Sequence, residues 1–118
     1  MNRHALWILI SIFLLLISSG KVSAQDTIFS CFDRVNPSNS NKLEIRRMPD
    51  QEFDEIIISG MDPKPVAYLE SGAMRSWTMS GGDHQFHMKP DGVTNYYDFR
   101  GTDGTASPSA SFQCYVKE

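Results

Sequence analysis

The chain is poor in three things, and each scarcity removes a class of protein. It has two cysteines in 118 residues, and neither has a second Cys or a His close by, so the spacing of a structural zinc site is missing. Basic residues are never clustered beyond the doublet Arg46-Arg47, which argues against a nucleic-acid partner, because phosphate binding draws on grouped Lys and Arg. Past residue 24 there is no long apolar run, so no segment there is expected to insert stably into a membrane. That region also lacks a sustained 3.6-residue apolar period and any internal repeat, which excludes helical bundles and solenoids.

The one long apolar run lies at the start. Arg3 and His4 form a short basic beginning, Ala5 to Ser19 is apolar, and Val22-Ser23-Ala24 presents modest residues to a signal peptidase. The run of about 15 residues is shorter than the ~20 that a bilayer span needs. Residues 1–24 therefore read as a signal peptide, cleaved before Gln25, and residues 25–118 as a single exported domain, periplasmic or secreted. Cys31 lies too far past the cleavage point to carry a lipid as a first residue.

Cleavage removes Arg3 and Lys21, leaving 9 basic residues against 14 acidic ones, a formal charge of −5. An acidic domain favours solubility and attracts basic partners. Cys31 and Cys114 stand near the two ends of the mature chain, and in an oxidising compartment a lone pair reads as one disulfide. Closing a loop of roughly 84 residues stabilises a fold by about 4–5 kcal/mol in the chain-entropy model.

Short β-rich segments fill the rest. Ile28 to Phe32 reads as a strand, and Asn36 to Asn41 as a turn. Lys42 to Met48 alternates, with Leu43 and Ile45 on one face and Glu44 and Arg46 on the other. Phe53 to Ser59 contains three consecutive isoleucines, which suit a pleated strand better than a helix. Gly60 to Pro65 reads as a loop, followed by strands at Val66–Leu69 and Met74–Met79 separated by Glu70-Ser71-Gly72-Ala73. His84–Met88 and Val93–Phe99 flank Lys89-Pro90-Asp91-Gly92 as a hairpin, Gly101 to Ser109 is a loop, and Ser111–Val116 is the last strand. The expected fold is all-β: a small antiparallel β-barrel or sandwich of about seven to eight strands. Phe29 and Cys31 share a face of the first strand, as Phe112, Cys114 and Val116 do on the last, so a bridge between them would help to close the sheet.

Catalytic signatures are missing. His84 and His87 are three apart on a strand, which turns them to opposite faces and argues against a metal site. Asp83, Asp91, Asp98 and Asp103 do not follow a calcium-loop pattern and read as turn residues. Ser71-Gly72 and Ser80-Gly81-Gly82 lack a Gly-x-Ser-x-Gly elbow, and no pair of the acidic residues is marked out for sugar hydrolysis. No catalytic residue, metal or cofactor is therefore assigned. Among the aromatics, Tyr97 and Phe99 share a face with Val93 and are expected in the core. Tyr96 alternates with Thr94 and Asp98 and is expected to look outward, where it could meet a partner.

The Phe29-Ser30-Cys31 start, Glu70-Ser71-Gly72-Ala73 with Arg75 soon after, Trp77, and the closing Phe112-Gln113-Cys114 together resemble the periplasmic inhibitors of C-type lysozyme. Those are small exported β-barrels with a cysteine near each end, and a Ser-Gly-x-Arg/Lys-Tyr loop of theirs enters the lysozyme cleft. Here Met74 stands at the basic position, Ser76 follows Arg75 in place of tyrosine, and Ser80-Gly81-Gly82-Asp83 replaces a Lys-Gly box. The expected function is a non-catalytic exported binding protein, an inhibitor or toxin-immunity-type module acting on another protein, through Ser71, Gly72, Arg75 and Tyr96. A structural or envelope-associated accessory domain is the alternative, and a small hydrolase a third.

Overall fold

The computed structural model describes residues 25–38 and 42–117, so the signal-peptide assignment to residues 1–24 lies outside the described residues. Eight strands run in chain order: β1 (Thr27–Asp33), β2 (Lys42–Arg47), β3 (Asp54–Ile58), β4 (Lys64–Ser71), β5 (Met74–Met79), β6 (His84–Met88), β7 (Val93–Asp98) and β8 (Ala110–Val116). Each pairs antiparallel with the next, and β8 returns to β1 to make a closed up-and-down barrel. Closure leaves no strand edge of the barrel unpaired, which matters where the described residues include no helix to cover one.

Eight strands enclose a space that side chains can just fill. Trp77, Ile45, Ile56, Val66 and Cys31 occupy its centre and are fully buried. The alternation read along β2 holds, with Leu43 and Ile45 inward. In β3 the consecutive isoleucines split between faces: Ile56 is fully buried and Ile57 faces out. The disulfide joins Cys31 to Cys114, which are direct partners across the β1–β8 seam with Cα atoms 4.0 Å apart. The first and last strands are thus tied covalently where the barrel closes.

Two turns follow the backbone rules of their sequences. At β4–β5, Ser71 pairs with Met74 and only Gly72-Ala73 lies between; Gly72 has φ +61° and Ala73 does not have a positive φ, the type II′ pattern. At β6–β7, the Gly92 N–H donates to Lys89 O (2.9 Å) and the Lys89 N–H to Val93 O (2.9 Å), a type I turn ending in a left-handed glycine with φ +87°.

Three expectations are corrected. Lys64 and Pro65 belong to β4, not to the preceding loop, and Glu70 and Ser71 extend it at the other end. Pro65 has no N–H to donate, and β3–β4 is the shortest pairing in the barrel, limited to Asp54–Val66, Glu55–Pro65 and Ile56–Lys64. The third correction concerns β7, whose alternation is right but whose phase is reversed: Thr94 and Tyr96 face inward, while Tyr97 and Phe99 stack on each other outside the core cluster. Pairing decides this. Tyr68, Trp77, Phe86 and Tyr96 are successive cross-strand partners and must share a face, and Trp77 is fully buried. Thr94 takes an interior position that its polarity argues against because its hydroxyl donates to Gly92 O (3.3 Å) beside the disulfide.

Candidate functional site

The up-and-down topology sorts the connections between two ends. One end carries the short turns Gly72-Ala73 and Lys89–Gly92 together with residues 48–53. The other carries the longer connections 34–41 and 99–109, together with 59–63 and Ser80–Asp83. Loops presented by a rigid sheet are where small β-domains place recognition residues.

At the short-turn end, Ser71, Gly72 and Ala73 stand exposed at the tip of the β4–β5 hairpin. Arg75 pairs with Met88, so the β4–β5 turn stands beside the β6–β7 turn. A groove of about 770 Å³ runs between them, with Ala73, Arg75, Met88, Lys89 and Asp91 in its walls. The Arg75 guanidinium lies 5.6 Å over the Phe29 ring, a cation–π contact that holds it across the barrel mouth. Arg75 and Lys89 therefore line one groove, with Asp91 in the same walls.

Beneath this end lies a satisfied polar network. Asp54 is buried; its Oδ1 accepts from Arg47 Nη1 (2.9 Å) and the Met48 N–H (2.9 Å), and its Oδ2 from Trp77 Nε1 (2.8 Å). Arg47 covers the Tyr68 ring at 3.8 Å, and the Tyr68 hydroxyl donates to Glu70. Burial, reinforced by the bond to Glu70, raises the Tyr68 pKa above the usual phenol value. The network locks β2, β3, β4 and β5 below the Gly72 turn. It is a support, because every oxygen of Asp54 is committed.

At the opposite end the mouth is apolar. A cavity of about 430 Å³ is lined by Leu43, Ile58, Met79, Phe86, Tyr96 and Phe112, with Lys42 and His84 completing it. His84 stacks on Tyr96 with Nδ1 2.6 Å from the phenol oxygen, and lies 4.0 Å from Asp98. Burial and the Asp98 charge both raise the Tyr96 pKa, keeping the phenol protonated. Asp98 is held at a pKa of about 2, chiefly by the side-chain hydrogen bonds of Arg100.

Of the residues singled out in the sequence, Ser71, Gly72 and Arg75 come together, while Tyr96 sits at the other end and inside. Lys89 joins Arg75 in lining the groove, and no local sequence signal links the two: the β5–β6 register does. His84 and His87 face opposite ways, as strand geometry requires, with His87 against Tyr97 on the outer face (ring centroids 4.9 Å) and its pKa lowered by burial. No group of three or more His, Cys, Asp or Glu with metal-binding geometry occurs among the described residues. No protein-family profile matches the chain, and no curated protein or solved structure is significantly similar to it.

Proposed function

We propose that the domain is an exported, non-catalytic binding protein that inhibits a glycan-cleaving enzyme of the C-type lysozyme kind by seating its short-turn end in the enzyme's cleft. The observation that carries this reading is the juxtaposition of the exposed Ser71-Gly72 turn with Arg75 and Lys89. A glycosidase cleft holds two carboxylates around the scissile bond, and a narrow turn flanked by two cations complements such a cleft. The domain's overall acidity suits attraction to an enzyme that is basic elsewhere. A disulfide-tied barrel supports the reading as well, since it presents the turn with little backbone freedom to lose on binding. The bond is also consistent with export into an oxidising compartment.

The test is inhibition of cell-wall lysis by a C-type lysozyme, using the mature, oxidised domain. Inhibition by wild type at micromolar concentration or below is expected, with Arg75→Ala weakening it by about tenfold or more and leaving thermal stability nearly unchanged. Undiminished lysis at 100-fold molar excess of the domain overturns the reading.

A further inference from the structure

The apolar mouth at the long-connection end is independent of the turn end and is built differently. Closed eight-stranded barrels ordinarily fill their interior with side chains, or keep a calyx for one small ligand. Here the centre is filled, by Trp77, Ile45 and Ile56, but the filling stops short of this mouth. Leu43 and Phe86 are buried in the cavity wall, whereas Ile58, Met79, Tyr96 and Phe112 are only partly covered. A cavity of about 430 Å³ is within the ~300–1,000 Å³ range of small-molecule sites and near its lower limit, so it suits one hydrocarbon chain and not a two-chain lipid.

Polar groups are few and grouped on one side of the opening. The Tyr96 hydroxyl engages His84 at Nδ1, leaving Nε2 as the ring's second polar position. The negative charge of Asp98 is already met by Arg100 at 2.7 Å. Lys42, which lines the cavity and lies 5.8 Å over the Phe32 ring, makes no ion pair among the described residues. An apolar cup with the Lys42 cation, held over the Phe32 ring, and an imidazole at its rim matches a molecule that is hydrocarbon along its length and anionic at one end.

We propose that this mouth binds a single free medium-chain aliphatic carboxylate, its chain against Ile58, Met79, Phe86 and Phe112 and its carboxylate at the lip toward Lys42 and His84. Chain burial supplies the affinity, and the lip sets the orientation.

The probe is decanoate, below its micellar concentration, titrated into the ¹⁵N-labelled mature domain with 1-decanol as the uncharged control. Saturable one-to-one binding is expected, with amide shifts at residues 42–43, 58, 79, 84–86, 96 and 112, and none at residues 71–75 or 89–92. Ile58→Trp, which fills the cup, should weaken decanoate by about tenfold or more; Phe112→Trp serves the same purpose should the first variant fold poorly. Lys42→Gln should weaken decanoate several-fold and leave decanol unchanged. Shifts that scatter or map to the turn end, failure to saturate, or unweakened binding by a folded cavity-filling variant would each overturn the site. Equal weakening of acid and alcohol by Lys42→Gln would overturn the carboxylate. A lysozyme-inhibition failure bears on neither result, because the two ends share no residue.

Discussion

Replacing Asp54 by alanine strands three donors at once. Asp54 is 1% exposed and is the acceptor for Arg47 Nη1, the Met48 N–H and Trp77 Nε1. Arg47 keeps a quarter of its side chain in water and can rehydrate, but Trp77 is fully buried and its N–H has nowhere to turn. A stranded buried donor costs about 1–3 kcal/mol, and breaking a buried charge pair by removing one partner about 3–5 kcal/mol. Because Arg47 recovers part of its hydration, Asp54→Ala should lose about 3–4 kcal/mol. Asp54→Asn keeps the volume and one oxygen for Arg47 and Met48, but turns an amide N–H₂ toward the indole N–H; about 2 kcal/mol is expected. Urea unfolding of the oxidised mature domain reads this directly, since Trp77 is the sole tryptophan after residue 24 and reports its own environment. At an m-value of ~2 kcal/mol/M, Asp54→Ala should move the midpoint down by about 1.5–2 M. Combined with Trp77→Phe, which removes the stranded donor and is followed by far-UV circular dichroism because the tryptophan reporter is gone, Asp54→Ala should cost less than it does with Trp77 in place. A loss below about 1 kcal/mol for Asp54→Ala, or full additivity in the double variant, would refute the view that this carboxylate anchors the barrel.

Three further outcomes follow from named contacts. Gly92→Ala places a Cβ 2.5 Å from the Cys114 carbonyl oxygen at a φ of +87°, so it should destabilise by about 2–3 kcal/mol, whereas Gly60→Ala, with positive φ but open space, should lose only about 1 kcal/mol; the same urea titration compares them. Replacing both Cys31 and Cys114 by alanine should remove several kcal/mol, up to about 4–5, and hydrogen exchange should show the β1 and β8 amides losing protection first. Asp98 should titrate at a pH of about 2 in the folded protein by carboxyl ¹³C NMR, returning toward 3.8 in Arg100→Ala. Its folded pKa is depressed, so whatever stability the pair contributes is present above pH 3.8 and is lost as pH falls toward 2; a midpoint unchanged by Arg100→Ala would refute the assignment.

Strand existence was legible because the chain punctuates itself. Pro90-Asp91-Gly92 and Gly72-Ala73 mark their turns by residue type alone, and the alternation of Leu43 and Ile45 with Glu44 and Arg46 names an inner and an outer face. The ends of β4 run against local residue type, since Pro65 looks like a loop residue and Glu70-Ser71 like a hairpin tip; pairing to β3 carries the strand back through Pro65, and pairing to β5 carries it on through Ser71. β7 exposed the limit of periodicity. Val93, Tyr97 and Phe99 on one face and Tyr96 on the other give two plausible interiors, and nothing local chooses between them.

What the sequence determined by itself is therefore local: eight segments with β character, the turn chemistry between several of them, and a cysteine pair whose faces allowed a bridge. These depend on residues within a few positions of one another, where φ preferences and period-2 alternation act directly. The tertiary structure alone decided that the sheet closes, that Cys31 and Cys114 are direct partners, that Arg75 and Lys89 share an end, and that Tyr96 lines a cavity at the other. Each of those rests on register between strands, and register is set by which side chains can occupy the interior together. A Trp77–Phe86–Tyr96 row satisfies that packing across three strands at once, a condition no single segment of the chain can express.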